Sequence, residues 1–416
     1  MKLLCALSLV LLLTGCVSGS RMPRATGPWD VSLIQGTPVA TTGARIGQVE
    51  EIYYEGAPRN GKPTRVFAYL GRPAEASGKK RPAMLLVHGG GGKAFREWAE
   101  HWAQRGYIAL AMDLSGNGPS GPLPDGMPDQ SDTTKFREFG ENEVRDMWTY
   151  HAVAAVLRGH ALLRSLPEVE ADRIGVTGIS WGGYLTCIVA GIDPDLKVAV
   201  PVYGCGFLGD NSYWTDKSLA AMTPEARALW LRQFDPSRYL SGVRCPTLFL
   251  NGTTDFAYPL DSYQKSYRLV PERHRHVSVN VGLPHGHIWT FGEVDAFVDS
   301  VLRGGKTLPK IGVVKLSGDT ARVSVGTSGP LKAAALNYTT DSGAWQKREW
   351  KTMPARIEGS SVSAELPPQR PLVAFLAVTD GRGLRVSSEH FTVEAARRNG
   401  LADRGRSWSR FEKQDR

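Results

Sequence analysis

The stretch Gly178-Ile179-Ser180-Trp181-Gly182-Gly183 lies between two apolar segments. Residues 173–177 before it have the composition of a short buried strand, and residues 184–190 after it continue as a helix. A serine between glycines at a sharp strand-to-helix turn is typical of a nucleophile elbow. A plain glycine-rich turn is the alternative, since G-x-S-x-G also arises by chance. The context favours Ser180 as a nucleophile held in strained backbone at the amino end of a helix.

The composition of the chain bounds its class. Its 416 residues exceed one ordinary core, so we expect two domains. With 42% hydrophobic and 22% charged residues, the chain has a globular composition. Part of the net charge of +9 is concentrated in residues 396–416, which we interpret as a flexible basic tail. No stretch resembles a nucleic-acid-binding module, so no nucleic-acid partner is expected.

The first sixteen residues resemble a bacterial lipoprotein signal. One lysine is followed by an apolar run over residues 3–13, which is too short for a stable membrane span, and the run ends in Leu13-Thr14-Gly15-Cys16. The sequence predicts lipidation of Cys16 and a tether over residues 17–40. The protein would then be exported and would touch membrane only through its lipidated N-terminus. Val17 is not the Asp of inner-membrane retention, which favours the outer membrane or cell surface. An ordinary signal peptide with a stray cysteine is the alternative.

Of the five cysteines, Cys5 would be lost with the signal and Cys16 would be lipidated, which leaves Cys187, Cys205 and Cys245. Their odd number excludes a complete disulfide framework. Cys205 follows one predicted strand and Cys245 precedes the next, so in a parallel sheet they would lie at opposite ends. We expect all three to be small, buried and unpaired.

The order of apolar segments predicts an α/β architecture. Over residues 41–304, buried strands alternate with helices, which indicates a mostly parallel sheet with helices on both faces. An aromatic-rich insertion at residues 207–240 interrupts the alternation. Short strand-like segments about ten residues apart over residues 306–395 predict a small C-terminal β-sandwich.

A serine nucleophile requires a base, and the base requires an acid. Asp255 follows the penultimate strand of the predicted sheet and is our candidate acid, although a lone Asp in a turn is usually a capping residue. Two histidines follow the last strand. His287 is favoured as the base, because it follows glycine and precedes an apolar pair, and His285 is the alternate.

The remaining site residues are predicted around this serine. The backbone N–H groups of Trp181 and of Gly90 or Gly89, in the run after His88, are candidate oxyanion donors. Tyr213, Trp214 and Trp230 in the insertion are candidate substrate contacts, with a packed helical cap as the alternative. We find no phosphate-binding or dinucleotide fingerprint and no metal-ligand spacing, so neither cofactor nor metal is expected.

With these motifs in place, residues 49–303 resemble the α/β-hydrolase fold, in its dienelactone-hydrolase and acetyl-xylan-esterase-like branch. The resemblance rests on the glycine run at residues 88–92, the elbow at residues 178–183, and the segments around Asp255 and His287. It implies a cofactor-free serine hydrolase that acts on a small-molecule or carbohydrate ester. Acetyl-xylan members of the branch deacetylate plant polysaccharide, and other relatives are peptidases or generic esterases.

Three functions are therefore compared. The first is an esterase that acts on acylated carbohydrate. The second is a prolyl-oligopeptidase-like peptidase, whose usual large N-terminal propeller has no counterpart in the few residues before the first strand. The third is a non-catalytic surface glycan-binding protein on a hydrolase fold, which the presence of Ser, Asp and His candidates disfavours.

Overall fold

The computed structural model describes residues 26–74 and 78–395. Its first eleven strands include a central sheet of nine. The strand bounds are β1 Ala40–Ile46, β2 Val49–Glu55, β3 Arg65–Gly71, β4 Arg81–Val87, β5 Ile108–Met112, β6 Asn117–Gly118, β7 Gly121–Pro122, β8 Val169–Ile179, β9 Val198–Val202, β10 Thr247–Gly252 and β11 Arg275–Asn280.

The central sheet has the order β1-β2-β3-β5-β4-β8-β9-β10-β11. The pairs β1–β2, β2–β3 and β3–β5 are antiparallel, and every later pair is parallel. The strands β4 and β5 are buried almost throughout, as expected of a sheet covered on both faces. Because the parallel strands point the same way, the loops after β4, β8, β10 and β11 meet at one edge, where sites of such sheets form.

Helices cover both faces of this sheet. The apolar residues of the longest one, α4, are buried along almost its whole length, whereas α2 buries one side only. The helix bounds are α1 Val31–Ile34, α2 Arg96–Gln104, α3 Asp132–Lys135, α4 Trp148–Ser165, α5 Trp181–Ile192, α6 Leu208–Asn211, α7 Pro224–Phe234, α8 Leu260–Leu269 and α9 Gly292–Leu302. Short 3₁₀ turns are Glu141–Asp146, Pro236–Arg238, Leu240–Gly242, Glu272–His274 and Trp345–Lys347.

The chain after α9 forms two antiparallel sheets, as expected. One has the order β12-β14-β18-β17 with β13 beside β14, and the other has the order β16-β15-β19-β20 with β21 beside β19. Their facing apolar residues, among them Val323 and Leu376, belong to one buried cluster. The bounds are β12 Lys310–Ile311, β13 Lys315–Ser317, β14 Thr320–Gly326, β15 Leu331–Thr339, β16 Lys351–Pro354, β17 Arg356–Glu358, β18 Ser361–Glu365, β19 Leu372–Asp380, β20 Arg385–Ser387 and β21 Phe391–Val393.

The two sheets are attached through β11 to the body of the molecule that is built on the central sheet. Val279 N donates to Ser387 Oγ at 2.8 Å, and Ser278 Oγ donates to the carbonyl of Arg385 at 2.8 Å. These bonds satisfy polar groups at the exposed edge of the central sheet, which would otherwise be open to pairing with another chain.

Part of the predicted tether over residues 17–40 is instead packed on the body. Trp29 is 1% exposed, stacks on Tyr150, and donates from Nε1 to the Tyr150 carbonyl at 3.0 Å. Residues 31–34 form α1, and Ala40 begins the first strand. The prediction is wrong for residues 26–40, because burial of a tryptophan outweighs the local polar composition.

Other terminal predictions fall outside the described residues. They are the signal segment with Cys16, residues 17–25, and the basic tail at residues 396–416. Within the described chain, Cys187, Cys205 and Cys245 are buried thiols outside any disulfide, which confirms the expectation that they are small buried residues. In that same part of the chain, no helix combines the length and the apolar character that a membrane span requires.

Candidate active site

Ser180 lies at the turn between β8 and α5, in a backbone conformation that an L-residue rarely adopts. Its φ is 55° and its ψ is −120°. The peptide is held on both sides, because Ser180 N donates to Val202 O at 3.0 Å and Tyr184 N donates to Ser180 O at 2.9 Å. A Cβ at Gly182 would collide with the carbonyl of Val87 on the neighbouring strand. Glycine is therefore needed at this position for the helix to approach the sheet.

The structure places His285, and not His287, beside Ser180. His285 Nε2 lies 2.8 Å from Ser180 Oγ, and its Nδ1 lies 2.7 Å from Asp255 Oδ2. The preference for His287 is therefore wrong in geometry, and the alternate histidine takes the place. The reason is a bend of the chain at residues 286–287, which turns His287 away after His285 has reached the serine.

Asp255 is buried directly after β10, where its carboxylate is fixed by the backbone. Its Oδ1 accepts from Ala257 N at 2.9 Å and from Tyr258 N at 2.8 Å, which leaves Oδ2 for the histidine. An acid held in this way fixes the ring orientation and tautomer of its histidine, with Nδ1 protonated and Nε2 facing the hydroxyl.

His287 instead packs against the glycine run after β4. Its ring lies 5.2 Å from that of Phe95, and its Nε2 lies against Gly92, where an added Cβ would be 2.9 Å away. Partial burial, together with neighbouring His285, lowers the pKa of His287. His287 therefore contacts the predicted oxyanion segment rather than the nucleophile.

The glycine run lies directly over the elbow. A Cβ at Gly89 would lie 2.9 Å from Ser180 Cβ, so a larger residue would displace the serine. His88 anchors the start of the run, since Leu114 N donates to its Nε2 at 2.9 Å and its Nδ1 lies 2.8 Å from the carbonyl of Gly89. Burial lowers the pKa of His88 to about 4, so the ring is neutral at pH 7 and donates from Nδ1.

Tyr203, which directly follows β9, supports His285. Its hydroxyl donates to the carbonyl of Gly286 at 2.6 Å, and its ring centroid lies 4.4 Å from that of His285. Its backbone has a positive φ of 33°, a second strained position close to the serine. Burial raises the pKa of Tyr203, which keeps the hydroxyl protonated as a donor.

A cavity of about 550 Å³ opens above Ser180. The predicted residues Trp181, Gly90, Tyr213 and Trp214 line it. Trp230 does not line the cavity and is wrong as a predicted substrate contact. It is fully buried and donates from Nε1 to the carbonyl of Lys135 at 2.9 Å.

Sequence reasoning missed several residues that line this cavity. They lie on the segment before and within α3 and on the loop after Asp255, namely Gln130, Asp132, Lys135 and Phe256. No motif marked them, because the loop between β5 and α4 is polar and irregular, and its path over the site is decided by tertiary contacts. No group of three or more metal-ligand side chains occurs in residues 26–74 and 78–395.

The sheet order, the strained serine at the turn after β8 and the Ser180–His285–Asp255 hydrogen bonds define an α/β-hydrolase. The acetyl xylan esterase family model matches residues 39–248, half of the chain, and the chain belongs to this family. The matched range includes the glycine run and the elbow but ends before Asp255 and His285.

Individual relatives share about a quarter of their residues with this chain over the matched part. The acetyl esterase Axe7A of Xylanibacter ruminicola is 26% identical over 208 residues, which cover 47% of this chain and 46% of that protein. The acylamino-acid-releasing enzyme of Arabidopsis thaliana is 27% identical over 261 residues, covering 57% of this chain but 31% of that protein. The chain thus spans at most about half of the length of these two relatives.

Among solved structures, an acetyl xylan esterase from Paenibacillus sp. R4 superposes with a TM-score of 0.53 at 20% identity. The superposition covers 65% of this chain and 92% of that structure. At this identity, the likeness establishes the shared fold.

Proposed function

We propose that this protein is a serine hydrolase that cleaves carboxylic esters and removes acetyl groups from carbohydrate. The observation that carries the proposal is the hydrogen-bonded sequence Ser180–His285–Asp255, with 2.8 Å and 2.7 Å between the joined atoms. These distances lie within the range in which a general base takes a proton from a hydroxyl.

The first half of the reaction forms an acyl-enzyme. Ser180 Oγ attacks the ester carbonyl carbon while His285 Nε2 takes the hydroxyl proton, and Asp255 stabilises the imidazolium that forms. The oxyanion accepts hydrogen bonds from the backbone N–H groups of Trp181 and Gly90. When the C–O bond breaks, His285 returns its proton to the departing alkoxide, so the alcohol leaves neutral and the acetyl group remains on Ser180.

The second half of the reaction uses water in place of the alcohol. The water oxygen attacks the acyl carbon while His285 takes a proton from the water. His285 then returns a proton to Ser180 Oγ as acetic acid leaves. Neither step requires an oxidant or a cofactor.

The choice of acetylated carbohydrate is supported by the family to which the chain belongs and by the aromatic lining of the cavity. The proposal is tested by incubating the protein with a monoacetylated xyloside and with 4-nitrophenyl acetate and measuring the acetate released. A protein that hydrolyses neither substrate would contradict the proposal.

A peptidase is the second candidate, because one relative is an acylamino-acid-releasing enzyme. The same serine chemistry cleaves amides, so substrate turnover must separate the two functions. We expect acetyl esters to be hydrolysed and N-acylaminoacyl anilides to be turned over far more slowly. The reverse order of the two rates would favour the peptidase.

A non-catalytic glycan-binding role would require that Ser180 be unreactive. A fluorophosphonate probe should label the purified protein once, and Ser180→Ala should abolish the label. A protein that is not labelled, or a label that survives Ser180→Ala, would refute the serine hydrolase.

We also propose that the protein is an exported lipoprotein anchored through Cys16, on the outer membrane or cell surface. The support is the apolar run followed by Leu13-Thr14-Gly15-Cys16. Labelled palmitate should be incorporated into the wild type in a bacterial host and not into Cys16→Ser. Equal labelling of the two would contradict the anchor.

A further inference from the structure

Lys135 is a buried cation in the wall of the active-site cavity. It is 3% exposed, and its Nζ lies 4.4 Å from the centroid of the Trp181 ring. Its Nζ also lies 2.9 Å from Asp132 Oδ1. Burial lowers the pKa of Lys135, while the carboxylate of Asp132 opposes that effect. Because an ammonium group is costly to bury, its position beside the elbow calls for a ligand-related reason.

Two carboxylates more than offset the positive charge of Lys135. Asp132 is half exposed, and its other oxygen, Oδ2, accepts from Trp214 Nε1 at 3.2 Å. Asp129 is a second carboxylate that acts on the same ammonium. With two carboxylates around one cation, this wall of the cavity offers no net attraction to an anionic substrate.

The same wall has unused hydrogen-bonding capacity of both kinds. An ammonium group carries three N–H donors, of which Asp132 Oδ1 accepts one. Gln130 donates from Nε2 to the carbonyl of Gly92 at 2.9 Å, whereas its buried Oε1 has no hydrogen-bond partner among the described residues. A donor and an acceptor that line the same cavity suit hydroxyl groups, which both donate and accept.

Exposed aromatic rings line the same cavity. Phe256 is 51% exposed and Tyr213 is 41% exposed, with their ring centroids 5.6 Å apart. The ring of Phe256 lies 4.7 Å from that of His285, so this apolar surface begins beside the reacting atoms. A cavity lined by both an apolar ring surface and hydroxyl-binding groups fits a sugar ring, which carries C–H groups on its faces and hydroxyls at its edge.

We infer that Lys135, Asp132 and Gln130 form a hydroxyl-binding subsite that selects esters of neutral polyhydroxy alcohols. The subsite holds the free hydroxyls of the alcohol portion while Ser180 attacks its acyl group, and it disfavours alcohols that carry a carboxylate. This inference rests on the proposed esterase function and adds the residues that determine its specificity.

Four substrates separate the contributions of the free hydroxyls, of an added carboxylate and of the acyl group alone. The first is a methyl xyloside with one acetyl group and free hydroxyls, and the second is the same compound with those hydroxyls methylated. The third is a monoacetylated methyl glucuronoside, which adds a carboxylate. The fourth is 4-nitrophenyl acetate, which has the acyl group but no hydroxyls. kcat and KM are measured for the wild type, Lys135→Met and Asp132→Asn.

Lys265→Met is the matched control. Lys265 Nζ is also paired with a carboxylate, that of Asp210 at 2.8 Å, and lies 5.9 Å from the Phe207 ring, but it does not line the cavity. Thermal unfolding of each variant shows whether it is folded.

We expect Lys135→Met and Asp132→Asn to lower kcat/KM for the free-hydroxyl xyloside about tenfold or more, mainly through KM. This is the size expected for hydrogen bonds to charged groups. Rates on 4-nitrophenyl acetate and on the methylated xyloside should stay within about twofold of the wild type, and Lys265→Met should be unchanged throughout.

Two results would overturn the inference while leaving the esterase intact. One is an equal fall on all substrates in both variants, which indicates a structural role. The other is a wild-type preference for the glucuronoside that Lys135→Met removes, which indicates an anion site. A wild type that hydrolyses none of the four substrates would instead refute the proposed function itself, and the subsite with it.

Discussion

The elbow at residues 178–183 and the histidine segment at residues 282–291 both contribute to the candidate active site, but they are held in different ways. The elbow is fixed by its own backbone, since Ser180 is hydrogen-bonded on both sides and Gly182 touches the neighbouring strand. The histidine segment has no regular structure between β11 and α9, and side chains from other elements hold it. Tyr203 binds the carbonyl of Gly286, and Asp255 binds the ring of His285.

This difference determines how well each region can be predicted from its local sequence. A backbone-fixed turn needs particular residues at particular positions, so its motif is visible in sequence. A segment fixed by remote side chains has no such local requirement. The local pattern therefore favoured His287, whereas the tertiary contacts place His285 beside Ser180.

The largest expected effect separates the two histidines. His285→Ala should lower kcat/KM by about a thousandfold or more, equivalent to about 4 kcal/mol, because the nucleophile loses its base. His287→Ala should lower it about tenfold at most, because His287 lines the cavity and packs on Phe95, whereas the ring bonded to Ser180 is that of His285. Rates on 4-nitrophenyl acetate measure both. A larger loss for His287→Ala would reverse the assignment.

The second prediction concerns the backbone-fixed region. Gly182→Ala should lower the free energy of unfolding by about 3 kcal/mol, because the added Cβ collides with the Val87 carbonyl. Gly343→Ala is the control, since no atom lies within 4 Å of the Cβ that it would add. Urea denaturation compares the two variants. A similar small effect for both would show that the elbow is less constrained than the geometry implies.

The third prediction concerns His88, which anchors the glycine run between the two regions. Its pKa of about 4 in the folded protein lies below the ordinary 6.5, so the unfolded chain binds more protons between these values. The contribution of His88 to stability should be constant above about pH 6.5 and should fall by about 3 kcal/mol as the pH drops to about 4. Unfolding measured from pH 7.5 to 4 should show a shallower decline for His88→Gln. Parallel curves would contradict the prediction.

The smallest effect concerns the support of the histidine segment. Tyr203→Phe removes the hydroxyl that binds the Gly286 carbonyl and should lower kcat about fivefold to tenfold, about 1 kcal/mol. Tyr54→Phe removes a comparable buried bond, to the Ala155 carbonyl at 3.0 Å, far from the serine. Tyr54→Phe should lower the free energy of unfolding about as much as Tyr203→Phe does, but it should leave kcat unchanged. An equal fall in kcat for both variants would indicate a general effect on folding.

The elements that carry periodic or motif signals were predictable. The strand before the elbow, the helix after it and the two C-terminal sheets follow from apolar spacing and turn residues. The exceptions are local patterns that distant contacts override. Residues 345–350 have the composition of a strand but begin with the 3₁₀ turn Trp345–Lys347, where the Trp345 ring packs on His390. Trp29 is packed on Tyr150 although the residues around it read as a tether.

By itself the sequence determined the α/β architecture, the position of Ser180 at an elbow, the candidate acid Asp255, and the glycine run above the elbow. Each depends on residue types that a local conformation or a strand end requires. Only the tertiary structure decided which histidine meets the serine, that Trp230 is packed away from the cavity, and that Lys135 and Phe256 line it. These facts depend on where irregular loops lie against one another, which side chains far apart in the sequence determine.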